Sequence, residues 1–179
     1  GTANCYTYTA ARPHVATQVA NVNYTYDANG NNLTGDGRTI EYTSYDMAKS
    51  IKKGSHTTTF AYGPDRARYK RVDVNNGNTQ TTLYIGSVEK ITKADGRREV
   101  KRYIGGVVIE TETYTSGGSL TSELHHYTLK DHLGSNDVVT DLAGNVVTNG
   151  GQLSFDSWGQ RRNGGDWTRR YIMVEGDMS

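Results

Sequence analysis

The 179-residue sequence holds one cysteine, Cys5, two prolines, Pro13 and Pro64, and two phenylalanines. A single cysteine excludes an internal disulfide framework. No apolar run approaches the roughly 18 residues that a membrane-crossing helix needs. Residues 1–20 lack the basic start and apolar stretch of a secretory leader. An excess of charge of one sign is missing too, since 20 Lys and Arg face 19 Asp and Glu for a formal net charge of +1. That balance speaks against nucleic acid as a partner, which requires a basic face. With 34% hydrophobic residues, the chain supports a thin core, not a thick one. It also starts on glycine, which suggests a segment of a longer chain.

What is abundant is glycine, at 21 residues, and tyrosine, at 13. Thr, Val, Ile and Tyr favour a pleated, half-buried surface. Tyrosine suits a thin layer because its ring packs while its hydroxyl stays hydrated or bonded. Alternation dominates the pattern: residues 57–62 alternate small polar and aromatic side chains, and residues 69–74 alternate again before Asn75-Asn-Gly77-Asn. An Asn-Gly pair between alternating runs predicts a hairpin, because the tight turn needs positive φ at its centre. Turn signals recur at Asn29-Gly30, Asp36-Gly37, Asp95-Gly96, Gly117-Gly118, Gly144-Asn145 and Asn149-Gly150. The expectation is an all-β chain of successive antiparallel β-hairpins, with no helix longer than about three turns.

Tyr26, Tyr45, Tyr62, Tyr84, Tyr103 and Tyr127 mark a loose period near twenty residues. One hairpin alone is marginal in water, whereas stacked neighbours bury a continuous strip. Tyr-Asp occurs at Tyr26-Asp27, followed by Ala-Asn-Gly30-Asn31, and at Tyr45-Asp46. In both, the carboxylate is expected to accept backbone N–H groups of the turn that follows, while the tyrosine packs on the strand face. An open ribbon of such hairpins would leave a strand edge at each end, and such edges pair with other chains.

These residues resemble the RHS/YD-repeat family of large bacterial proteins, to which the animal teneurins are related. Tyr26-Asp-Ala-Asn-Gly30-Asn31 and Tyr45-Asp46 resemble its repeat motif. Lys130-Asp131-His132-Leu133-Gly134-Ser135, with Phe155-Asp-Ser-Trp158-Gly159-Gln-Arg161, is similar to the family's repeat-associated core region. The similarity divides the chain into a partial upstream repeat (1–23), hairpin repeats (24–127), a core-like segment (128–168) and a divergent tail (169–179). It implies part of a curved or spiralling β-sheet shell that encloses or presents a C-terminal toxin or effector in competition between bacteria. The implied partners are the rest of that shell and the enclosed segment, and the implied location is secreted or on the cell surface. The family's self-cleavage site is not carried over, because the sequence holds no Asp-Pro pair.

Several constellations invite chemistry. Asp131, His132 and Ser135 have the residue types of a hydrolase triad, yet triads are set by spatial geometry, not by nearness in sequence. A polar bend with a half-buried His132 is the expected alternative. His125, His126 and His132 could offer imidazoles, but adjacent strand residues face opposite sides. Glu110, Glu112 and Glu123 could serve as paired carboxylates, against the ordinary reading of Glu facing Lys or Arg across strands. Gly86, Gly105-Gly106 and Gly134 are expected in strands, at bulges and bends. The basic stretch Arg66 to Arg71 reads as a solvated face. No catalytic residue, cofactor or metal ligand is assigned. The sequence thus predicts a non-enzymatic shell segment, with a carbohydrate- or cell-surface-binding β module as one alternative and a hydrolase centred on Asp131/His132 as another.

Overall fold

The computed structural model describes residues 6–132, 134–148 and 150–155. Among them lie fifteen strands and no helix: β1 (Tyr6–Thr9), β2 (Arg12–Val19), β3 (Val22–Asn23), β4 (Thr25–Tyr26), β5 (Asn32–Gly35), β6 (Arg38–Tyr42), β7 (Ala48–Lys53), β8 (His56–Tyr62), β9 (Arg68–Asn75), β10 (Asn78–Ile85), β11 (Val88–Thr92), β12 (Arg98–Ile104), β13 (Val108–Tyr114), β14 (Leu120–Lys130) and β15 (Asn136–Thr140). β1 to β3 form one sheet and β4 to β15 another, and in both the spatial order is the order of the chain. The registers are antiparallel. The all-β hairpin array read from the turn signals is therefore the fold.

Chain-order pairing follows from short connections. Asp36-Gly37 and Asn76-Gly77 carry positive φ at both residues (51° and 71°, 49° and 81°). Those turns match the right-handed twist of their flanking strands, so each strand folds back on its predecessor. Gly86, Gly105 and Gly106 also have positive φ and sit in turns, not in strands as expected, whereas Gly134, also at positive φ, supplies the expected bend. The backbone there needs left-handed conformations that side chains disfavour.

The chain divides into two compact units, residues 1–84 with 91–94, and residues 85–90 with 95–179. In the first, tyrosine hydroxyls tie strands to carbonyls of preceding ones. Tyr26 donates to Ala16 O at 2.8 Å and Tyr62 to Ala48 O at 2.7 Å. Tyr45 does not join them in a strand. It lies in a turn and meets the Tyr62 ring edge-on, with centroids 6.3 Å apart. Gly35 is buried under the Tyr24 ring, which leaves no room for a Cβ.

In the second unit the register puts Glu99, Lys101 and Tyr103 of β12 on one face with Thr111 and Ile109 of β13, His126 and Thr128 of β14, and Val139 of β15. Ile109, Val139 and Leu153 are buried there, and so are Glu89, Glu99, Lys101, His126 and Thr128. Five of these eight buried residues are polar or charged, which fits the low hydrophobic content. β15 does not end the sheet as an open edge. Val139 donates to Gly151 O at 2.6 Å and accepts from Val147 N at 3.0 Å, and Leu153 N donates to Asp137 O at 2.8 Å.

Candidate functional site

One turn design recurs through the chain. At Asp27–Asn31, Thr43–Met47, Gly63–Ala67, Thr115–Ser119, Asp131–Ser135 and Asp141–Asn145, the first amide donates to the fifth carbonyl and the fourth amide to the first carbonyl. The fourth residue always has positive φ: Gly30 (93°), Asp46 (63°), Arg66 (64°), Gly118 (94°), Gly134 (86°) and Gly144 (83°). The first side chain then accepts the fifth amide: Asp27 Oδ1 from Asn31 at 2.8 Å, Thr43 Oγ1 from Met47 at 3.1 Å, Thr115 Oγ1 from Ser119 at 3.1 Å, Asp131 Oδ1 from Ser135 at 2.9 Å and Asp141 Oδ1 from Asn145 at 2.9 Å. Gly63 has no side chain to do this, and Asp65 Oδ1 takes the Ala67 amide instead, at 3.0 Å. Hydrogen bonds from Asn31 and from the turn amides hold the Asp27 carboxyl below its ordinary range, and Asn145 does the same for Asp141.

The two Tyr-Asp pairs are therefore not equivalent. Asp27 opens its turn, as expected. Asp46 occupies the left-handed fourth position, and Thr43 supplies the acceptor in its place. The Asp46 carboxylate instead accepts from Asn29 Nδ2 and Asn31 Nδ2, both at 2.8 Å. It links one turn to the next.

The Asp131–Ser135 segment is one more copy of this turn. Asp131 is half-buried and His132 is exposed, which corrects the expectation of a half-buried imidazole. Gly134 supplies the positive φ and Ser135 the capped amide. Leu133, Trp158 and Gly159 lie outside the described residues. His125 and His126 do face opposite sides. His126 is buried, and burial lowers its pKa against a smaller opposing effect of Asp141. His125 lies across β14 from the buried face, with Nε2 3.7 Å from Glu110 and 3.8 Å from Glu123.

The glutamates form a cross-strand charge ladder. Arg102 sits opposite Glu110, and Glu110 opposite His125. The Arg102 guanidinium pairs with Glu110 through one nitrogen and with Glu112 through the other at 3.0 Å. Glu112 also accepts the Tyr114 hydroxyl at 2.7 Å. These bonds hold the Glu112 carboxyl down and push the Tyr114 phenol up. The Glu-facing-Arg reading thus holds for Glu110 and Glu112, whereas Glu123 sits opposite Glu112 and lies 3.8 Å from His125 Nε2. The basic stretch is not simply a solvated face. Arg68 lies over Phe60 at 5.1 Å and Tyr84 at 5.2 Å, Arg66 over Tyr45 at 5.6 Å, and Arg71 pairs with Asp73 at 2.9 Å.

The residues that sequence reasoning missed are Glu99 and Lys101, whose Nζ and Oε2 atoms stand 3.9 Å apart in the buried face. Among the described residues, no group of three or more His, Cys, Asp or Glu could hold a metal ion. An open cleft of about 560 Å³ is lined by residues of β3 and of the β5–β6 hairpin, among them Asp36, whose carboxylate is held by Lys53 at 2.8 Å. The arrangement as a whole is built to lock turns and strand registers.

The class that this geometry defines is a chain-order antiparallel hairpin array. Solved structures with the same fold include chains of a Tc holotoxin and of TcdB2–TccC3. A TcdB2–TccC3–TEV crystal structure aligns with TM-score 0.67 and 14% identity over 94% of this chain. A TcdB2–TccC3 crystal structure gives 0.65 and 15% over 87%, and the Photorhabdus luminescens Tc holotoxin pore gives 0.64 and 15% over 76%. The alignments span 10%, 10% and 7% of those chains, so this chain matches a small part of each. No protein-family model and no curated protein sequence matches it.

Proposed function

We propose that the chain is a wall segment of an RHS-type β-hairpin shell that encloses or presents a C-terminal toxin or effector in competition between bacteria, and that it performs no catalysis itself. The observation that carries this reading is the strand order. Strands that pair strictly in chain order, joined by one repeated turn design, make a sheet that can be extended indefinitely without crossovers. The fold shared with toxin-complex chains and the resemblance of the Tyr26-Asp27 and Asp131–Ser135 segments support the same reading. So does tyrosine placement: Tyr26 and Tyr62 spend their hydroxyls on neighbouring backbone, which suits a wall better than a carbohydrate-binding row.

The experiment is limited proteolysis of the full-length product of the reading frame that contains this chain. An enclosed C-terminal segment resists protease while the repeats are folded and is cut once they are denatured. Cleavage of that segment at equal rates in folded and denatured protein would refute enclosure.

A further inference from the structure

Two Asn-Gly pairs lie wholly within the described residues, Asn29-Gly30 and Asn76-Gly77, and the fold holds them differently. Asn29 Nδ2 donates to Asp46 Oδ1 at 2.8 Å, and the Gly30 amide donates to Asp27 O at 3.3 Å. An Asn-Gly pair reacts with itself through two groups, the carboxamide and the amide nitrogen that follows it. At Asn29-Gly30 both are engaged.

Asn76-Gly77 is the contrast. It forms the tip of the β9–β10 hairpin, with φ of 49° and 81°. Residues 75–79 are exposed, and a Cβ on Gly77 would meet nothing within 4 Å. Among the described residues, neither the Asn76 carboxamide nor the Gly77 amide has a hydrogen-bond partner. Asp36-Gly37 shares the positive φ at both residues, but the Asp36 carboxylate is ion-paired with Lys53 at 2.8 Å, and an ionised carboxylate resists nucleophilic attack.

We propose that Asn76 is a self-modification site, converting to aspartate and isoaspartate with water as co-reactant, while Asn29 is locked against the same reaction. The Gly77 amide nitrogen, once a solvent base has taken its proton, attacks Asn76 Cγ. Glycine leaves that approach unhindered by a side chain. The new C–N bond closes a cyclic imide, the Cγ–Nδ2 bond breaks, and the leaving nitrogen takes a proton from water and departs as ammonia. Water then opens the imide. Attack at the side-chain carbonyl leaves aspartate; attack at the main-chain carbonyl leaves isoaspartate, whose backbone carries an extra methylene. The turn has to open for this, and exposed loop tips are the parts of a fold that open most readily. Either product adds a carboxylate and cancels the formal net charge of +1. Isoaspartate also lengthens the turn that sets the Asn75–Asn78 pairing. The proposal stands whether or not the shell reading does.

The test is incubation of the folded 179-residue chain in mildly alkaline buffer, followed by tryptic mapping with mass spectrometry and by enzymatic methylation of isoaspartate. Asn29 and Asn76 fall in separate peptides, because Arg38 and Arg71 lie between them. Deamidation at Asn76 is expected to run at least about tenfold faster than at Asn29, the factor that two broken hydrogen bonds supply. It should yield isoaspartate and quicken as pH rises. In urea the two rates should converge, because only the shared Asn-Gly sequence then acts. Asp46→Ala, checked by circular dichroism for the wild-type fold, should speed Asn29 several-fold and leave Asn76 as it was. Asn29 reacting as fast as Asn76 in the folded chain, an Asn76 that stays intact, a gap that persists in urea, or a folded Asp46→Ala protein in which Asn29 keeps its wild-type rate would each overturn the proposal.

Discussion

Asn31 Nδ2 donates to Asp46 Oδ1 at 2.8 Å, joining the last residue of one turn to the left-handed position of the next. The same nitrogen donates to Asp27 Oδ2 at 2.9 Å, so one carboxamide reads two carboxylates. Successive turns are thereby aligned by side chains as well as by strand pairing. Asn31→Ala and Asp46→Asn should each lower the melting temperature by a few degrees. Residues sharing one contact act non-additively. The double variant is therefore expected to melt well above the temperature that summed single effects would give, as checked by thermal unfolding of all four proteins.

Glu99 and Lys101 form a buried pair, and breaking it should cost more than removing it. A lone buried charge lacks compensation, whereas replacing both partners with apolar groups of similar size is often neutral. Glu99→Leu alone is expected to destabilise by about 3 kcal/mol, and Lys101→Met added to it to recover most of that loss. Urea unfolding midpoints of the wild type, the single and the double variant check this.

His126 should make stability fall on acidification. Burial lowers its pKa from the ordinary 6.5, with Asp141 opposing and His125 and Lys101 reinforcing the shift. The folded state then binds fewer protons than the unfolded state below that value. Its contribution is complete above 6.5 and is lost as pH drops from there toward the lowered folded value. His126→Gln should flatten the change in urea midpoint between about pH 7.5 and about pH 5.5.

Within the Asp131–Ser135 turn, the structure separates the acceptor from the imidazole. Asp131→Ala removes the oxygen that caps the Ser135 amide and should cost about 1 kcal/mol. His132→Ala touches an exposed side chain and should change stability by less than about 0.5 kcal/mol. Neither the wild type nor the variants should hydrolyse ester or peptide substrates. Hydrolysis by the wild type that disappears in an equally stable His132→Ala protein would reverse the non-enzymatic reading.

Much of this fold was legible because turn chemistry is local. Asn76-Gly77 and Asp36-Gly37 specify φ values that few residues adopt, and alternation on either side specifies strands. The opposite facing of His125 and His126 followed from strand geometry alone. Asp46 was misread because Tyr-Asp looks the same at positions one and four of the turn. Only the presence of Thr43, an acceptor three residues earlier, shows which position Asp46 fills. Lys101 was missed for a different reason. In an alternating polar strand, a lysine beside Glu99 and opposite Thr111 carries no local mark of burial, since burial depends on what the whole sheet face packs against. His132 was placed too deep because a Gly-rich polar bend was read without its turn type.

The account rests on each strand pairing with its chain neighbours in one register. Cross-strand nuclear Overhauser contacts along β12, β13 and β14 test that most directly. The predicted result is a row linking Tyr103 with Ile109 and Ile109 with His126, beside a row linking Arg102 with Glu110 and Glu110 with His125. Contacts shifted by one residue would exchange the buried and exposed faces. That result, or short-range helical contacts in place of the rows, would contradict the account.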